Sequence, residues 1–296
     1  MRLVADCACE LGEGALWHPE RGELLFVDIL GHALYAMAGD GSALRRWSLD
    51  GPVSALGRID RSRVIAAGAD GFLEIDLDTG AVLPRHPLEA QDARTRSNDG
   101  RVDRHGAFWV GTMGRRAEPG LGTLYRYDGQ AVTPVRSGLT IPNACCFSAD
   151  GGTGYFADTA AGVIRRWPLD PASGLPAGPA EVFVDLSGRA ESPDGAIVDA
   201  EDHVWCALWG GGRVVRYRPD GSEERSIPLP VSQPSCPALG GPDLRTLYVT
   251  TAREGFDDAR RRAEPHAGGV FAVEVDVPGL PEPPFRGAAR AAPGRP

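Results

Sequence analysis

A short pattern recurs six times along this chain at a nearly constant spacing, and no other feature constrains the fold as strongly. Two copies are plainly alike: NDGRVDRHGAFWVGT begins at Asn98, and DGAIVDAEDHVWCALW begins at Asp194. In both, an aspartate follows five residues later and a tryptophan eleven residues later. The six copies begin at Glu13, Ala55, Asn98, Asn143, Asp194 and Ser235. Successive starts are 41 to 51 residues apart, close to the repeat length of a β-propeller blade.

Each copy has the pattern of short β-strands separated by tight turns. An apolar strand is followed by a turn rich in Asp, Gly or Pro and by a second strand; a third often follows a glycine, as in GTLYRYDG. The sequence therefore predicts an all-β fold, a six-bladed β-propeller, because six units in phase are hard to fit into a β-sandwich. Residues 256–266, FDDARRRAEPH, have a weak helical period and are interpreted as a loop.

The repeats leave little of the chain unassigned, so residues 1–284 are interpreted as a single propeller domain. The opening segment LVADCACEL is expected to supply the outer strand of the last blade, because propellers usually close their ring by sharing strands between the chain ends. Residues 285–296, FRGAARAAPGRP, have no hydrophobic pattern, and we expect them to form a disordered tail.

The composition excludes several classes of protein. The chain contains no lysine, which both a Schiff-base enzyme and a P-loop nucleotide binder require. With a net charge of −9 and no basic run, a nucleic-acid partner is not expected. No apolar run is long enough to span a membrane, and the first residues lack the order of a signal peptide. The six cysteines form no CxxC pair, so we expect free buried thiols in a cytoplasmic protein.

The residues that open the six copies should converge in space, because the first strand of every blade lines the central channel. Four of the six carry a side-chain acid or amide: Glu13, Asn98, Asn143 and Asp194. Only two asparagines occur in the whole chain, and both stand at this position. Two carboxylates would repel each other in a channel of low dielectric constant unless a cation offset their charge.

This arrangement predicts a site for one divalent metal cation. Glu13, Asn143 and Asp194 supply three oxygen ligands and leave positions open for water and substrate, as in a catalytic site. Calcium, magnesium or manganese suit these ligands best, while zinc and iron(II) stay open. Asn-Asp-Gly and Pro-Asp-Gly also form turns in any β protein, but four such residues in phase favour the metal site.

Other catalytic patterns have no support in the sequence. It contains neither a G-x-S-x-G nucleophile elbow nor an H-E-x-x-H zinc helix. His18, His105 and His203 fall in turns between strands and are interpreted as surface residues. Trp109 and Trp205, at equivalent places in two copies, are expected to pack between blades.

At these residues the chain resembles the family of senescence marker protein (regucalcin), gluconolactonase and luciferin-regenerating enzyme. The resemblance covers nearly the whole chain and is carried by RSNDGRVD, FWVGTM, IPNACCFSADG, SPDGAIVDAEDHVW and GGPDLRTLYVTTAR. It implies a six-bladed propeller that holds one divalent cation and usually hydrolyses a lactone. The family's metal ligands fall on Glu13, Asn143 and Asp194, the same three residues that their phase selects.

The resemblance also implies where the substrate binds. The Arg-x-Asn pair that contacts substrate in the family falls on Arg96 and Asn98. One position departs from the pattern: several members have an acidic substrate contact three residues after the Met of GTM. Here that residue is Arg116, with Glu118 two residues further on. Within the family, ALWGGGRVVRY looks most like bacterial lactonases of xylonolactone or arabinolactone.

The implied activity is hydrolysis of a sugar aldonolactone, of the gluconolactone, xylonolactone or arabinolactone type, to the aldonic acid. Asp194 is expected to act as general base on a metal-activated water. Arg96 and Asn98 would position the lactone and stabilise the oxyanion, with an ion-pair role for Arg96 in a charged loop as the alternative. Residues 84–97 and 253–268 are expected to form a rim over the channel mouth.

The sequence leaves two alternative functions. One is a non-enzymatic calcium-binding or scaffold propeller, although a scaffold gives no reason to place three potential ligands at one phase. The other is hydrolysis of a different ester, such as an organophosphate, as a side activity of the same site. The sequence specifies neither the sugar, nor the cation, nor the oligomeric state.

Overall fold

The repeats fold as the blades of an all-β, six-bladed propeller, as predicted. The structure, a computed structural model, describes residues 1–287, and within this range it contains six four-stranded antiparallel sheets. The innermost strand of each sheet contacts the innermost strands of its two neighbours, and these contacts close into a ring around a central channel. Each sheet corresponds to one sequence repeat.

The strands of each blade run in order from the channel to the outside, except that the first strand of the chain, β1 (Arg2–Ala5), belongs to blade 6. Blades 1 to 3 are built from β2 (Gly12–His18), β3 (Glu23–Asp28), β4 (Ala33–Ala38), β5 (Arg45–Ser48), β6 (Val53–Arg58), β7 (Arg63–Gly68), β8 (Gly71–Asp76), β9 (Val82–Pro87), β10 (Thr95–Val102), β11 (Phe108–Gly114), β12 (Gly122–Tyr127) and β13 (Val132–Leu139). Blades 4 to 6 are built from β14 (Pro142–Phe147), β15 (Thr153–Asp158), β16 (Val163–Pro168), β17 (Glu181–Asp185), β18 (Ser192–Val198), β19 (Val204–Trp209), β20 (Arg213–Tyr217), β21 (Glu223–Pro228), β22 (Pro234–Gly240), β23 (Thr246–Thr251) and β24 (Val270–Glu274).

The hydrophobic core is a ring of clusters between the blades rather than one central mass. In the described part of the chain, six clusters of buried apolar side chains each join two neighbouring blades. Trp109 of blade 3 packs against Phe147 and Trp167 of blade 4, with ring centroids 5.4 and 6.2 Å apart. Trp205 of blade 5 lies among apolar residues of blade 6. Both tryptophans therefore pack between blades, as expected.

The recurring aspartate and tryptophan of the repeat are joined by a hydrogen bond. In blade 5, Trp205 Nε1 donates to Asp199 Oδ2 at 2.9 Å, and Arg216 Nε donates to the same oxygen at 2.7 Å. In blade 3, Trp109 Nε1 donates to Asp103 Oδ2 at 2.8 Å in the same way. The other carboxylate oxygen closes the turn by accepting backbone N–H groups. The fixed spacing thus satisfies a buried carboxylate and ties the strands of a blade together.

The two ends of the ring are joined in blade 6. Strand β1 pairs antiparallel with β24, and Leu3 lies opposite Phe271. The expectation that the opening segment forms the outer strand of the last blade is confirmed for Arg2–Ala5. Because β1 and the last strands of the propeller share a sheet, the ring cannot open without breaking this ladder.

Two expectations about loops are wrong. Residues 256–266 contain a helix, α1 (Asp258–Ala263), which begins where the Asp257 side chain accepts the backbone N–H of Arg260 at 2.8 Å. A helix of six residues is too short to show a clear period in the sequence. His18 is fully buried instead of exposed, because the next blade covers it: its Nε2 lies 2.9 Å from the carbonyl oxygen of Asp60.

Residues 275–287, called here the C-terminal strap, cross the face of the propeller on which the inner strands end. The backbone of the strap hydrogen-bonds to blades 6 and 5 and then, near its end, to blades 2 and 3. Phe285 is buried and stacks on Tyr127, with ring centroids 5.5 Å apart. Packed structure therefore continues past residue 284, the predicted end of the domain. The rest of the expected tail, residues 288–296, lies outside the described residues.

The six cysteines are all free thiols. Five of them are buried, and Cys7 is partly exposed. Across residues 1–287, no helix combines the length and the hydropathy that crossing a lipid bilayer requires.

Candidate active site

The inner strands bring all five predicted site residues to the wall of one cavity. The cavity has a volume of about 400 Å³, within the usual range for small-molecule sites. The five residues are Glu13 on β2, Arg96 and Asn98 on β10, Asn143 on β14 and Asp194 on β18. Each has 9% or less of its surface exposed. Four of the blades therefore contribute polar side chains to a single buried site.

A local irregularity of the inner strands accompanies this convergence. Each of the inner strands of blades 1 to 6 shifts register against its neighbour at the level of the repeat position. Such bulges re-aim side chains and are common beside active sites. Blades 2 and 6 carry the small residues Ala55 and Ser235 at this level. Ser235 donates its hydroxyl hydrogen to the carbonyl oxygen of Gly12, so it is satisfied within the wall.

A series of hydrogen bonds links the predicted substrate-binding pair to Asn143. Arg96 Nη1 donates to Asn98 Oδ1 at 2.9 Å, and Asn98 Nδ2 donates to Asn143 Oδ1 at 3.0 Å. Asn98 Nδ2 also donates to the carbonyl oxygen of Pro142 at 3.0 Å. Both amide hydrogens of Asn98 are therefore used within the protein. In this arrangement Asn98 holds Arg96 and Asn143 in place.

Thr159 fixes the orientation of the Asn143 amide. Its hydroxyl oxygen lies 2.7 Å from the carbonyl oxygen of Pro193. Since a carbonyl can only accept a hydrogen bond, the hydroxyl is the donor. The same hydroxyl oxygen then accepts from Asn143 Nδ2 at 2.8 Å. The nitrogen of the Asn143 amide is thus committed to Thr159. Its oxygen accepts one bond from Asn98 and keeps a lone pair for a further partner.

The two carboxyl groups at the repeat position are buried with little compensation. Burial raises the pKa of Glu13 to about 8, and the charge of Asp99 adds to the rise. The backbone N–H of Gly14, 3.0 Å from Glu13 Oε2, opposes it. Burial, followed by the charges of Glu13 and Asp99, also holds the pKa of Asp194 well above its usual range. Neither carboxylate therefore has enough positive charge nearby to offset the cost of burying its negative charge.

The oxygen atoms available here fit a hard divalent cation. Within residues 1–287, no group of three or more His, Cys, Asp and Glu is placed to hold a metal, so a third ligand beside Glu13 and Asp194 would be of another kind. Glu13, Asp194 and Asn143 offer two carboxylates and one amide oxygen, the kind of donor that Ca²⁺, Mg²⁺ and Mn²⁺ prefer. A divalent cation would also supply the charge that the two buried acids lack. The donor set thus agrees with the site expected from the sequence.

Arg96 lies on a strand rather than in a charged loop. Nη1 of this buried side chain donates to the carbonyl oxygen of Ser97 at 2.8 Å as well as to Asn98. Burial lowers the pKa of the Arg96 guanidinium, and the charge of Glu254 opposes this effect. Among the described residues, no carboxylate forms a salt bridge with Arg96, so the structure gives no support to the ion-pair alternative.

Three polar residues of the cavity wall, Arg115, Thr159 and Glu254, are not singled out from the sequence. Each lies just after the second strand of its blade, which is β11, β15 or β23. In an antiparallel sheet, the end of the second strand lies beside the start of the first, so this position is a signal that could have found them. Burial raises the pKa of Glu254, and the charge of Arg96 opposes the rise. Of the two expected rim segments, 84–97 contributes Arg96 and 253–268 contributes Glu254.

The segment after β11 also reaches the cavity, at the place where the family pattern has its acidic contact. Arg115, Arg116 and Ala117 belong to the cavity wall. Glu118 folds back into the turn, where its Oε2 accepts the backbone N–H of Arg116 at 3.0 Å. The wall at this point therefore carries positive charge in place of the acid.

Comparison with known proteins gives matches over nearly the full chain. A family model described as the SMP-30/Gluconolactonase/LRE-like region matches residues 11–253. The L-arabinolactonase of Azospirillum brasilense is 37% identical over 97% of this chain and 96% of its own length. The 6-deoxy-6-sulfogluconolactonase of Pseudomonas putida is 34% identical over 97% of this chain and 99% of its own length.

The same relationship is seen among solved structures. The crystal structure of a calcium-binding protein, regucalcin, from Agrobacterium tumefaciens matches with a TM-score of 0.94. It is 40% identical and covers 96% of this chain and 97% of that one. The propeller fold and the family expected from the sequence are confirmed, and the chain belongs to the SMP-30/gluconolactonase/LRE-like family.

Proposed function

We propose that the protein hydrolyses a sugar aldonolactone to the aldonic acid with the help of one divalent cation. Its family and the two lactonases described above support lactone hydrolysis. The observation that carries the proposal is the shared cavity, in which two buried carboxylates, an oriented amide oxygen and a buried arginine meet. The calcium-binding description of the Agrobacterium structure supports a divalent cation.

Glu13, Asn143 and Asp194 would hold the cation. When bound, a divalent cation polarises a carbonyl oxygen and lowers the pKa of water. The chain keeps the ligand oxygens in place through neighbouring groups: the N–H of Gly14 holds Glu13 Oε2, and Thr159 holds the amide of Asn143. Partners of this kind orient the ligands in metal sites and are nearly as important as the ligands themselves.

Asp194 is the proposed general base. In its ionised form, the carboxylate accepts a proton from the water that attacks the carbonyl carbon of the lactone. As the ring C–O bond breaks, the proton is passed to the leaving oxygen, which becomes the hydroxyl group of the aldonic acid. The position of Asp194 on an inner strand, with 5% of its surface exposed, keeps this group rigid and shielded from bulk water.

Arg96 is the residue of the predicted pair that has hydrogen atoms to offer the substrate. Its Nη1 is occupied by Ser97 and Asn98, while Nε and Nη2 have no hydrogen-bond acceptor among residues 1–287. We infer that these groups bind the lactone oxygens and steady the negative charge that develops on the carbonyl oxygen. Asn98 then acts on the substrate through Arg96 and Asn143, since both of its amide hydrogens are already donated.

The experiment that tests this proposal starts from metal-free protein. It is assayed on D-glucono-1,5-lactone, D-xylono-1,4-lactone and L-arabino-1,4-lactone, and then reloaded separately with Ca²⁺, Mg²⁺, Mn²⁺, Zn²⁺ or Fe²⁺. Asp194→Asn is measured beside Asp243→Asn, an isosteric change of an aspartate on an exposed turn. We expect at least one cation to restore activity and Asp194→Asn to lower kcat by about 100-fold or more.

Two results would contradict the proposal. Metal-free protein that is as active as the reloaded protein would exclude a role for the cation. If Asp194→Asn had the same kcat as Asp243→Asn on every lactone, Asp194 would not be the general base.

A further inference from the structure

Two arginines stand at the mouth of the cavity, outside the groups used in the proposed reaction. Arg115 and Arg116 directly follow strand β11, and both line the cavity that holds Glu13 and Asp194. The backbone N–H of Ala117 donates to the carbonyl oxygen of Gly114 at 2.8 Å and closes the turn that carries the two arginines. The turn therefore presents two neighbouring guanidinium groups at the entrance of the site.

The charge of Arg116 is only weakly compensated by the protein. Its side chain is 90% exposed, and Glu118, its ion-pair partner in the described range, lies 3.8 Å away from Nε. The Glu118 carboxylate is instead held by the backbone N–H of Arg116 at 3.0 Å. An exposed pair at this distance contributes little free energy, so the guanidinium is available to a ligand.

Arg115 is held in position, but its charge is not neutralised by a carboxylate in the described part of the chain. Its Nε donates to the carbonyl oxygen of Ala93 at 3.1 Å, which orients the guanidinium without neutralising it. No carboxylate among residues 1–287 forms a salt bridge with Arg115. The charge of Arg115 also acts on Arg96, where it contributes to lowering the pKa of that buried guanidinium.

The charges on the cavity wall do not balance once the cation is bound. The wall carries three acids and three arginines, namely Glu13, Asp194, Glu254, Arg96, Arg115 and Arg116. With a divalent cation bound to the two inner acids, the same wall has an excess of positive charge. A cleft lined by an excess of one sign of charge attracts ligands of the opposite sign.

We propose that Arg115 and Arg116 form a recognition subsite for an anionic group carried by the lactone at the end remote from its ring ester. Sulfonate, phosphate and carboxylate share this chemistry, because each offers two or more oxygen atoms to the fork of a guanidinium. The inference rests on the proposed lactonase function and names the substrate class for that site. It also gives a physical reason for the departure from the family pattern at Arg116, since an acid there would repel such a group.

The test compares a neutral and an anionic lactone on the cation-loaded protein. The substrates are D-glucono-1,5-lactone and two analogues that carry phosphate or sulfonate at carbon 6. The variants are Arg115→Glu and Arg116→Glu, with Arg136→Glu as control, since Arg136 is an exposed arginine on the outer strand of the same blade. We expect the wild type to prefer the anionic lactones and each rim variant to lower that preference roughly tenfold. The control should keep the wild-type ratio.

A binding measurement separates recognition from catalysis. Calorimetric titration with 6-phosphogluconate and with gluconate gives the affinity for an anionic and a neutral tail without turnover. We expect the wild type to bind 6-phosphogluconate more tightly, with a difference that shrinks as the ionic strength rises and that Arg116→Glu abolishes.

The outcomes distinguish this inference from the function on which it rests. Protein that hydrolyses no lactone contradicts the proposed function itself. A second outcome is that the wild type hydrolyses the neutral lactone at least as well as the anionic ones and that neither Arg115→Glu nor Arg116→Glu changes this ratio. That outcome is compatible with the proposed function but contradicts the subsite. A preference for sulfonate alone or phosphate alone, lost in both rim variants, supports the subsite and identifies its ligand.

Discussion

Glu13 shows how one buried side chain links the stability of this protein to pH. Its carboxyl group is buried in the wall of the channel, and its pKa is raised to about 8 from an ordinary value of 4.5. Without a cation, the folded protein therefore keeps a proton on Glu13 at a pH where the unfolded chain has already lost it. The stabilisation that this proton provides is complete below about pH 4.5 and is lost as the pH rises to about 8.

We predict that metal-free protein becomes less stable as the pH is raised from 5 to 8. One group that is protonated only in the folded state changes the free energy of unfolding by about 1.4 kcal/mol per pH unit. The midpoint of urea unfolding, measured across this range with a chelator present, should fall and should recover when a divalent cation is added. In Glu13→Gln the slope should be smaller, and a flat profile for the wild type would contradict the burial argument.

Single residues also mark where sequence reasoning reaches its limit. Asn98 and Asn143 could be chosen because asparagine is so rare in this chain and both copies stand at one repeat position. The position of Thr159 after β15 could have marked it as a residue near the site, but its role could not be predicted, because it depends on a carbonyl oxygen of Pro193, on another blade.

At the scale of elements, the C-terminal strap closes the channel on the side away from the candidate active site. Arg101 is buried in the channel wall, and its Nη1 pairs with Glu282 of the strap. Burial works against the charge of Arg101, but Glu282 and further neighbours, Asp99 among them, together outweigh that effect, so the pKa of Arg101 is raised. The strap thus brings a counter-charge to a cation that the inner strands leave buried.

We predict that Glu282→Gln destabilises the fold by about 3–5 kcal/mol, because it leaves the buried charge of Arg101 without its partner. Urea denaturation of the cation-loaded protein measures the change. Glu181→Gln, which removes a charge that is 70% exposed, should change the free energy of unfolding by less than about 0.5 kcal/mol. A loss for Glu282→Gln no larger than for Glu181→Gln would show that the strap does not hold this charge. The double variant Arg101→Met, Glu282→Gln should recover part of the loss.

At the scale of the whole molecule, stability depends on closing a ring of similar parts. Each interblade cluster joins two neighbours only, and the pairing of β1 with β24 completes blade 6 with a strand from the other end of the chain. Without β1, strand β24 would become an open edge with unpaired backbone groups. The candidate active site needs the closed ring, since Glu13, Asn143 and Asp194 come from blades 1, 4 and 5.

We therefore predict that deleting residues 1–5 lowers stability and promotes association. The loss should be roughly 3 kcal/mol or more, from several backbone hydrogen bonds and the contact of Leu3 with blade 6. Thermal unfolding and size-exclusion chromatography measure the two effects. Arg2→Ala keeps the backbone of the strand and should behave as the wild type. A deletion variant that is monomeric and as stable as Arg2→Ala would show that β1 is not needed for closure.

The sequence alone determined the number of blades, the innermost position of the first strand of each blade and the family of this protein. It could do so because strand length, turn chemistry and the aspartate–tryptophan spacing are local properties that recur in each repeat. Repeat phase also predicted that Glu13, Asn143 and Asp194 lie together, since equivalent positions of a propeller lie at one level of the channel. Only the tertiary structure decided that His18 is buried, that Thr159 orients Asn143, and that Arg116 faces the cavity as a weakly paired charge. These facts depend on burial and on hydrogen-bond partners from distant parts of the chain, which no local pattern records.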